Sequence, residues 1–114
     1  MLQRAATPVD RLFRALSDRT RLRVLHLLSK GEVCVGDLVA VLRLPQPTVS
    51  RHLAYLRHSG LVTARRDSSR NYYALVDPRS PFHAKLLECL ASCFTEVPEL
   101  TRDATRARKK MSWC

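Results

Sequence analysis

The sequence is poor in glycine, in acidic residues and in long apolar runs, and each shortage excludes something. Its three glycines, Gly31, Gly36 and Gly60, are scattered, so the chain has no glycine-rich loop of the kind that cradles phosphates. No nucleophile motif occurs, and the ten acidic residues include no carboxylate pair placed for acid–base work, so enzyme chemistry is not expected. No segment approaches the roughly 20 apolar residues that span a bilayer, and no N-terminal stretch reads as a signal peptide. A cytoplasmic protein without a membrane anchor is therefore expected. Its four cysteines, Cys34, Cys89, Cys93 and Cys114, should then be mostly reduced thiols open to metal or redox chemistry.

What is present is positive charge. Twenty Lys and Arg give a formal net charge of +10, which predicts attraction to a polyanion, either nucleic acid or an acidic membrane surface. At 114 residues the chain has room for one small domain. So small a domain leaves much apolar surface uncovered, and dimerisation is a physical remedy.

Val9, Leu12, Phe13 and Leu16 follow the spacing of an amphipathic helix, with Pro8 in its first turn and Thr7 as N-cap. Ser17 or Asp18 caps a second helix that runs to about Ser29 with Leu22, Leu25 and Leu28 inward, and Gly31 ends it. A third, short helix over residues 36–42 uses Leu38, Val41 and Leu42. Leu44 and Pro45 then make a turn, and a fourth helix starts near Gln46, where Pro47 fits the first turn. Two short helices joined so tightly read as helix-turn-helix.

The fourth helix is the most informative segment. Val49, Leu53 and Leu56 form one narrow apolar edge, while Ser50, Arg51, Tyr55 and His58 lie away from it with Arg57 beside them. A helix held by three aliphatics and showing Gln, Ser and Arg outward can lie in a DNA major groove. There Gln pairs with adenine edges, Arg with guanine, and hydroxyls with bases or phosphates. We assign Gln46, Thr48, Ser50 and Arg51 to the groove, with His52 and Tyr55 at its flanks. An ordinary surface helix is the competing description, opposed by the tight turn before it, the net charge and the basic hairpin after it. Residues 61–66 and 71–76 are β-prone around a polar connection over residues 67–70, which makes that hairpin, or wing. Arg65, Arg66 and Arg70 crowd its tip and are assigned to phosphate or the minor groove. His26 and His58 read as surface or DNA-facing residues.

Ser80 and Pro81 signal a last long helix, expected over residues 82–97, with Phe82, Leu86, Cys89, Leu90, Cys93 and Val97 on a broad apolar face. Pro98 ends or breaks it. Residues 1–97 are thus read as a winged helix-turn-helix DNA-binding and dimerisation domain, and residues 98–114 as a basic C-terminal tail, a short helix and then a frayed end. The i, i+4 spacing of Cys89 and Cys93 puts their Cβ atoms about 5–6 Å apart on one helix face. That is wide for an unstrained disulfide, but two thiolates could converge on one soft ion. Packing as small apolar residues suits the pair equally well.

This order of elements resembles the ArsR/SmtB family of metalloregulatory winged-helix repressors over roughly residues 8–95. Ala15-Leu16-Ser17-Asp18-Arg19-Thr20-Arg21-Leu22-Arg23 looks like the start of that family's second helix. Gln46-Pro47-Thr48-Val49-Ser50-Arg51-His52-Leu53, then Leu56-Arg57 and Gly60-Leu61-Val62, look like its recognition helix and the root of its wing. Glu32-Val33-Cys34-Val35-Gly36-Asp37-Leu38 is similar to its arsenic-sensing Cys-Val-Cys-Asp-Leu segment, except that Gly36 replaces the second cysteine. One thiolate cannot hold a soft trivalent ion that wants two or three sulfurs.

The resemblance implies a mainly α fold with a small β-hairpin, a winged helix-turn-helix dimerising through its terminal helices. It implies a homodimeric repressor bound to double-stranded operator DNA and released by arsenite or another thiophilic metal(loid). No permanent cofactor is implied. Cys89 and Cys93, with Cys34 or Cys114 as a third donor, are the candidate ligands. His83 is similar to zinc-type ligands on the family's last helix, but matching acidic and histidine partners are missing. Two rival readings remain: a thiol-based redox or sulfide sensor on the same fold, and a winged-helix module for an acidic protein or anionic lipid.

Overall fold

The computed structural model describes residues 8–92 and 96–110. Its elements run α1 (Val9–Leu16), α2 (Arg19–Leu28), β1 (Val33–Cys34), α3 (Val35–Leu42), α4 (Gln46–His58), β2 (Val62–Asp67), β3 (Arg70–Leu75), α5 (Pro81–Ser92) and α6 (Pro98–Lys110). A winged helix-turn-helix with a small sheet is what the sequence pattern predicts. Asp18 supplies the α2 cap, its Oδ1 accepting from the Arg21 amide at 3.0 Å. Burial pushes the Asp18 carboxyl up, but that amide and the nearby His52 and Arg21 charges outweigh it, so its pKa lies below the ordinary value. The N-cap of α1 is Pro8 without a side-chain bond, and the expected Thr7 lies outside the described residues.

The core gathers around α2. Val24, Leu25, Leu27 and Leu28 meet Leu12 and Ala15 of α1, Leu38, Val41 and Leu42 of α3, and Val49, Leu53 and Leu56 of α4. The inward face of α1 is therefore Leu12 and Ala15. Val9 and Phe13, expected inside from their spacing, remain 51% and 56% exposed. Two apolar faces flank α1, and one domain of this size covers only one of them.

The hairpin carries an additional strand. β1 pairs antiparallel with β3 through Val33 opposite Tyr73 and Cys34 opposite Tyr72, giving a three-stranded sheet in the order β1-β3-β2. Two residues are too short a segment for any alternation to show in sequence. β2 and β3 pair from Val62–Leu75 out to Asp67–Arg70, so Ser68 and Ser69 alone make the turn, with Ser68 at a φ of 58°.

Two expectations for the C-terminal part are corrected. The last long helix does not reach Val97: α5 is described over Pro81–Ser92, Glu96 and Val97 are not helical, and Val97 is a buried residue just ahead of a separate helix. That second helix, α6, is 13 residues long and packs on α2 and α3 through buried Leu100, Asp103 and Ala107. Residues 98–110 thus contribute to the core, although their composition suggests a basic extension.

A buried ionic cluster fixes α6. Asp103 is 0% exposed and accepts from Arg23 Nε at 2.7 Å, Arg23 Nη2 at 3.0 Å and Arg106 Nη2 at 2.8 Å. The same guanidiniums donate to the last carbonyls of α3: Arg23 to Leu42 at 2.8 Å and Arg106 to Val41 at 2.7 Å. Carbonyls at a helix end have no partner within the helix. Here α2 and α6 supply the donors, and Asp103 bridges the two guanidiniums with one negative charge.

Candidate nucleic-acid interface

The turn into α4 is set by backbone chemistry. Arg43 ends α3 in the left-handed region at a φ of 57°, its amide donating to Val39. Pro45 then provides a carbonyl that accepts from the Thr48 and Val49 amides, and Pro47 occupies the first turn, where its missing N–H costs nothing. Val49, Leu53 and Leu56, all 0% exposed, anchor one edge of α4. At helical spacing Arg51, Ala54 and His58 lie on the opposite side, all exposed.

The two flanks of α4 differ. On one flank His52 Nδ1 lies 4.0 Å from Asp18 Oδ1, and the Arg21 guanidinium sits 4.1 Å above the Tyr55 ring. Arg21 is itself anchored on the Ala15 and Arg14 carbonyls, so both residues meet a fixed partner at the α1–α2 junction. Burial lowers the His52 pKa, Asp18 opposes this, and the Arg21 and Arg51 charges lower it further. On the other flank Gln46 faces the wing. It shares a groove of about 410 Å³ with Cys34, Val35, Gly36, Asp37 and the wing residues Ser69, Arg70 and Asn71. Thr48 is half-buried, while Ser50 and Arg51 are open to solvent.

The three wing arginines are not equivalent. Arg65 donates Nε and Nη2 to Glu32 at 2.7 and 2.8 Å and lies 4.7 Å over the Tyr72 ring. The hydrogen bond from Arg65 holds the Glu32 carboxyl below its ordinary pKa. Arg66 is exposed and donates to the neighbouring Ser68 carbonyl at 3.2 Å. Arg70 is exposed, with Nη1 3.9 Å from the Cys34 sulfur. Arg65 thus braces the wing, whereas Arg66 and Arg70 present charge at its tip. Ala54 belongs to the same outer surface of α4 as Arg57, and the helical period through Arg51 could have identified it.

Of the four candidate metal ligands, the described residues include Cys34 and Cys89, which lie on different elements. Cys34 is buried at the start of α3, and Cys89 is on an exposed face of α5. Cys93 and Cys114 lie outside the described residues. Among the described residues no three His, Cys, Asp or Glu side chains are placed to share a metal ion. A Cβ at Gly36 would meet nothing within 4 Å, so this position leaves open the space a second thiol would fill. His83 is a core residue at 1% exposure, its Nδ1 accepting from the Arg79 amide at 3.2 Å, so the zinc-type surface reading does not fit it. His26 is likewise partly buried, not a surface residue.

An exposed groove-sized helix beside a basic wing defines a DNA-binding transcriptional regulator of the winged helix-turn-helix class. Comparison with known proteins gives the family. The sequence model for "Bacterial regulatory protein, arsR family" matches residues 18–64. The arsenical resistance operon repressor of Escherichia coli K12 is 40% identical over 97 residues, spanning 83% of each chain. A probable mercury resistance operon repressor of Streptomyces lividans is 39% identical over 95 residues, 77% of this chain and 76% of that one. Among solved structures, the transcriptional repressor BigR from Xylella fastidiosa superposes with a TM-score of 0.64 at 35% identity, covering 75% of this chain and 85% of that one. The chain belongs to the ArsR family. No described helix is long and apolar enough to cross a membrane.

Proposed function

We propose that the protein is a cytoplasmic homodimeric repressor whose α4 helices read an operator and whose DNA affinity is lowered by arsenite or a related thiophilic species. The observation that carries the DNA half is the outward face of α4, with Gln46, Ser50 and Arg51 free of the core that Val49, Leu53 and Leu56 enter. In this reading Gln46, Thr48, Ser50 and Arg51 contact bases or phosphates in the major groove. Arg66 and Arg70 supply sequence-independent attraction to phosphate, with Arg65 holding the wing in place for them. His52 and Tyr55 fix the rotation of α4 about its axis through Asp18 and Arg21. Two α4 helices of a dimer would enter major grooves about 34 Å apart.

The dimer rests on α1 and α5. Phe13 and Phe82 stack at 5.6 Å between ring centroids while remaining 56% and 38% exposed, and Val9 lies alongside on α1. An apolar patch of this kind is a contact surface rather than ordinary solvent-facing chain. A second protomer's α1 and α5 would cover it.

For the inducer, the names of the Escherichia coli and Streptomyces lividans relatives point to metal and metalloid resistance. The described residues alone do not assemble a three-sulfur site. The reading therefore relies on Cys89 and Cys93, four positions apart in the sequence, with a third thiolate from Cys34 or Cys114. Ligation on the α5 side of the dimer would favour a geometry in which the two α4 helices no longer match operator spacing. A coupling of about 1–3 kcal/mol is usual for such switches. Reduced protein titrated onto its own upstream DNA should lose about 5- to 150-fold in affinity with arsenite, and a Cys89→Ser/Cys93→Ser variant should not. Equal response of variant and wild type would remove these cysteines from the sensor.

A further inference from the structure

Between α2 and α6, away from the DNA face, lies a cleft of about 230 Å³ lined by His26, Leu27, Lys30, Ala104, Ala107 and Arg108. We infer that it is a binding site for a small organic anion, a carboxylate on a compact apolar body, and that its occupancy is felt at the helix-turn-helix through α6. Three features select that ligand class. Leu27, Ala104 and Ala107 give the cleft an apolar wall. Lys30, just past the end of α2, and Arg108 of α6 line the same cleft with two cations. His26 Nδ1 is buried and has no hydrogen-bond partner among the described residues.

The size restricts the ligand. Sites for drug-sized molecules are about 300–1,000 Å³, so this cleft suits an anion of benzoate size. A carboxylate there would accept from Lys30 and Arg108, beside the His26 ring. Burial and the Lys30 charge now lower the His26 pKa, with Asp103 opposing them, and an added anion would bring it back up. The Asp103 carboxylate does not repel such a ligand strongly, because Arg23 and Arg106 already neutralise it.

The connection to DNA runs along α6. Ala104, Ala107 and Arg108 in the cleft alternate with Asp103 and Arg106, which hold the Arg23 guanidinium and the Val41 carbonyl. A ligand that wedges α6 against α2 therefore acts on the end of α3, immediately before the turn into α4. Binding to the cleft does not depend on the repressor reading; only the effect on operator affinity rests on it.

The test uses the reduced full chain, titrated with sodium benzoate and, as a neutral isostere, benzyl alcohol, at constant ionic strength and followed by amide NMR. Saturable shifts are expected at residues 26–30 and 104–108, with half-saturation below about 5 mM. Benzyl alcohol should bind at least about 10-fold more weakly. Lys30→Glu/Arg108→Glu and the cleft-filling Ala104→Leu should each abolish saturation, circular dichroism reporting that they stay folded. Non-saturating shifts, shifts centred elsewhere, or equal binding of the alcohol would overturn the site. At saturating benzoate the operator affinity should change by about 5-fold or more. No change would overturn the coupling while leaving the site, and a protein that ignores its operator without benzoate would overturn the repressor reading instead.

Discussion

Asp103→Ala is expected to destabilise the protein by about 3–5 kcal/mol, the usual cost of leaving buried charges unpaired. The side chain is 1% exposed, and its two partners, Arg23 and Arg106, keep only 15% and 19% of theirs in solvent. Without the carboxylate, two guanidiniums stay confined among Leu42, Val41 and the inward face of α6. They must either remain there uncompensated or swing out and abandon the α3 carbonyls. Both results cost free energy, and small domains have only about 5–15 kcal/mol in total. Urea unfolding would show the loss as a lower midpoint at similar slope. A change below about 1 kcal/mol would mean that the cluster is solvated and not a structural node. Asp103→Leu combined with Arg23→Met should recover part of the loss, because an apolar pair of similar volume can replace a buried ion pair.

The second large effect concerns association. Phe13→Asp/Phe82→Asp should leave the monomer folded, since neither ring is needed to fill the core. It should also prevent the paired protomers from forming, because four carboxylates would meet across a two-fold contact. One α4 helix would then bind one half-site alone. Losing the second contact should lower operator affinity by about 10²- to 10⁴-fold, the usual worth of linking two binding events. Sedimentation of both proteins checks the first step and operator titration the second. A wild type that sediments as a monomer, or a variant that still dimerises, would contradict the assignment of this patch.

The sequence was most readable where one periodicity and one turn coincide. Val49, Leu53 and Leu56 after Pro45 leave little choice but a short helix with a polar outer face, and α4 is that helix. The wing was legible from β-prone runs around a polar connection, although β1 was not, because two residues carry no pattern. The C-terminal helix was hidden for a different reason. Its inward stripe is Leu100, Asp103 and Ala107, and an aspartate in that stripe reads as solvent-facing until Arg23, eighty residues earlier, is known to meet it. Phe13 and Val9 fit the helical period yet stay outside, since periodicity marks an apolar face without saying which partner covers it. The DNA-facing groups are local to one helix and one hairpin. Cys34 and Cys89 lie on β1 and α5, far apart in sequence, and no local pattern encodes whether such thiols meet.

The central claim is that α4 reads bases. Its direct test is a comparison of wild type and Arg51→Ala on the operator and on a random duplex of equal length, across a salt series. The wild type should prefer the operator, and Arg51→Ala should lose about 1–3 kcal/mol on the operator with little change on random DNA. Equal loss on both duplexes would make Arg51 a phosphate contact, and no operator preference in the wild type would contradict the reading of α4 altogether.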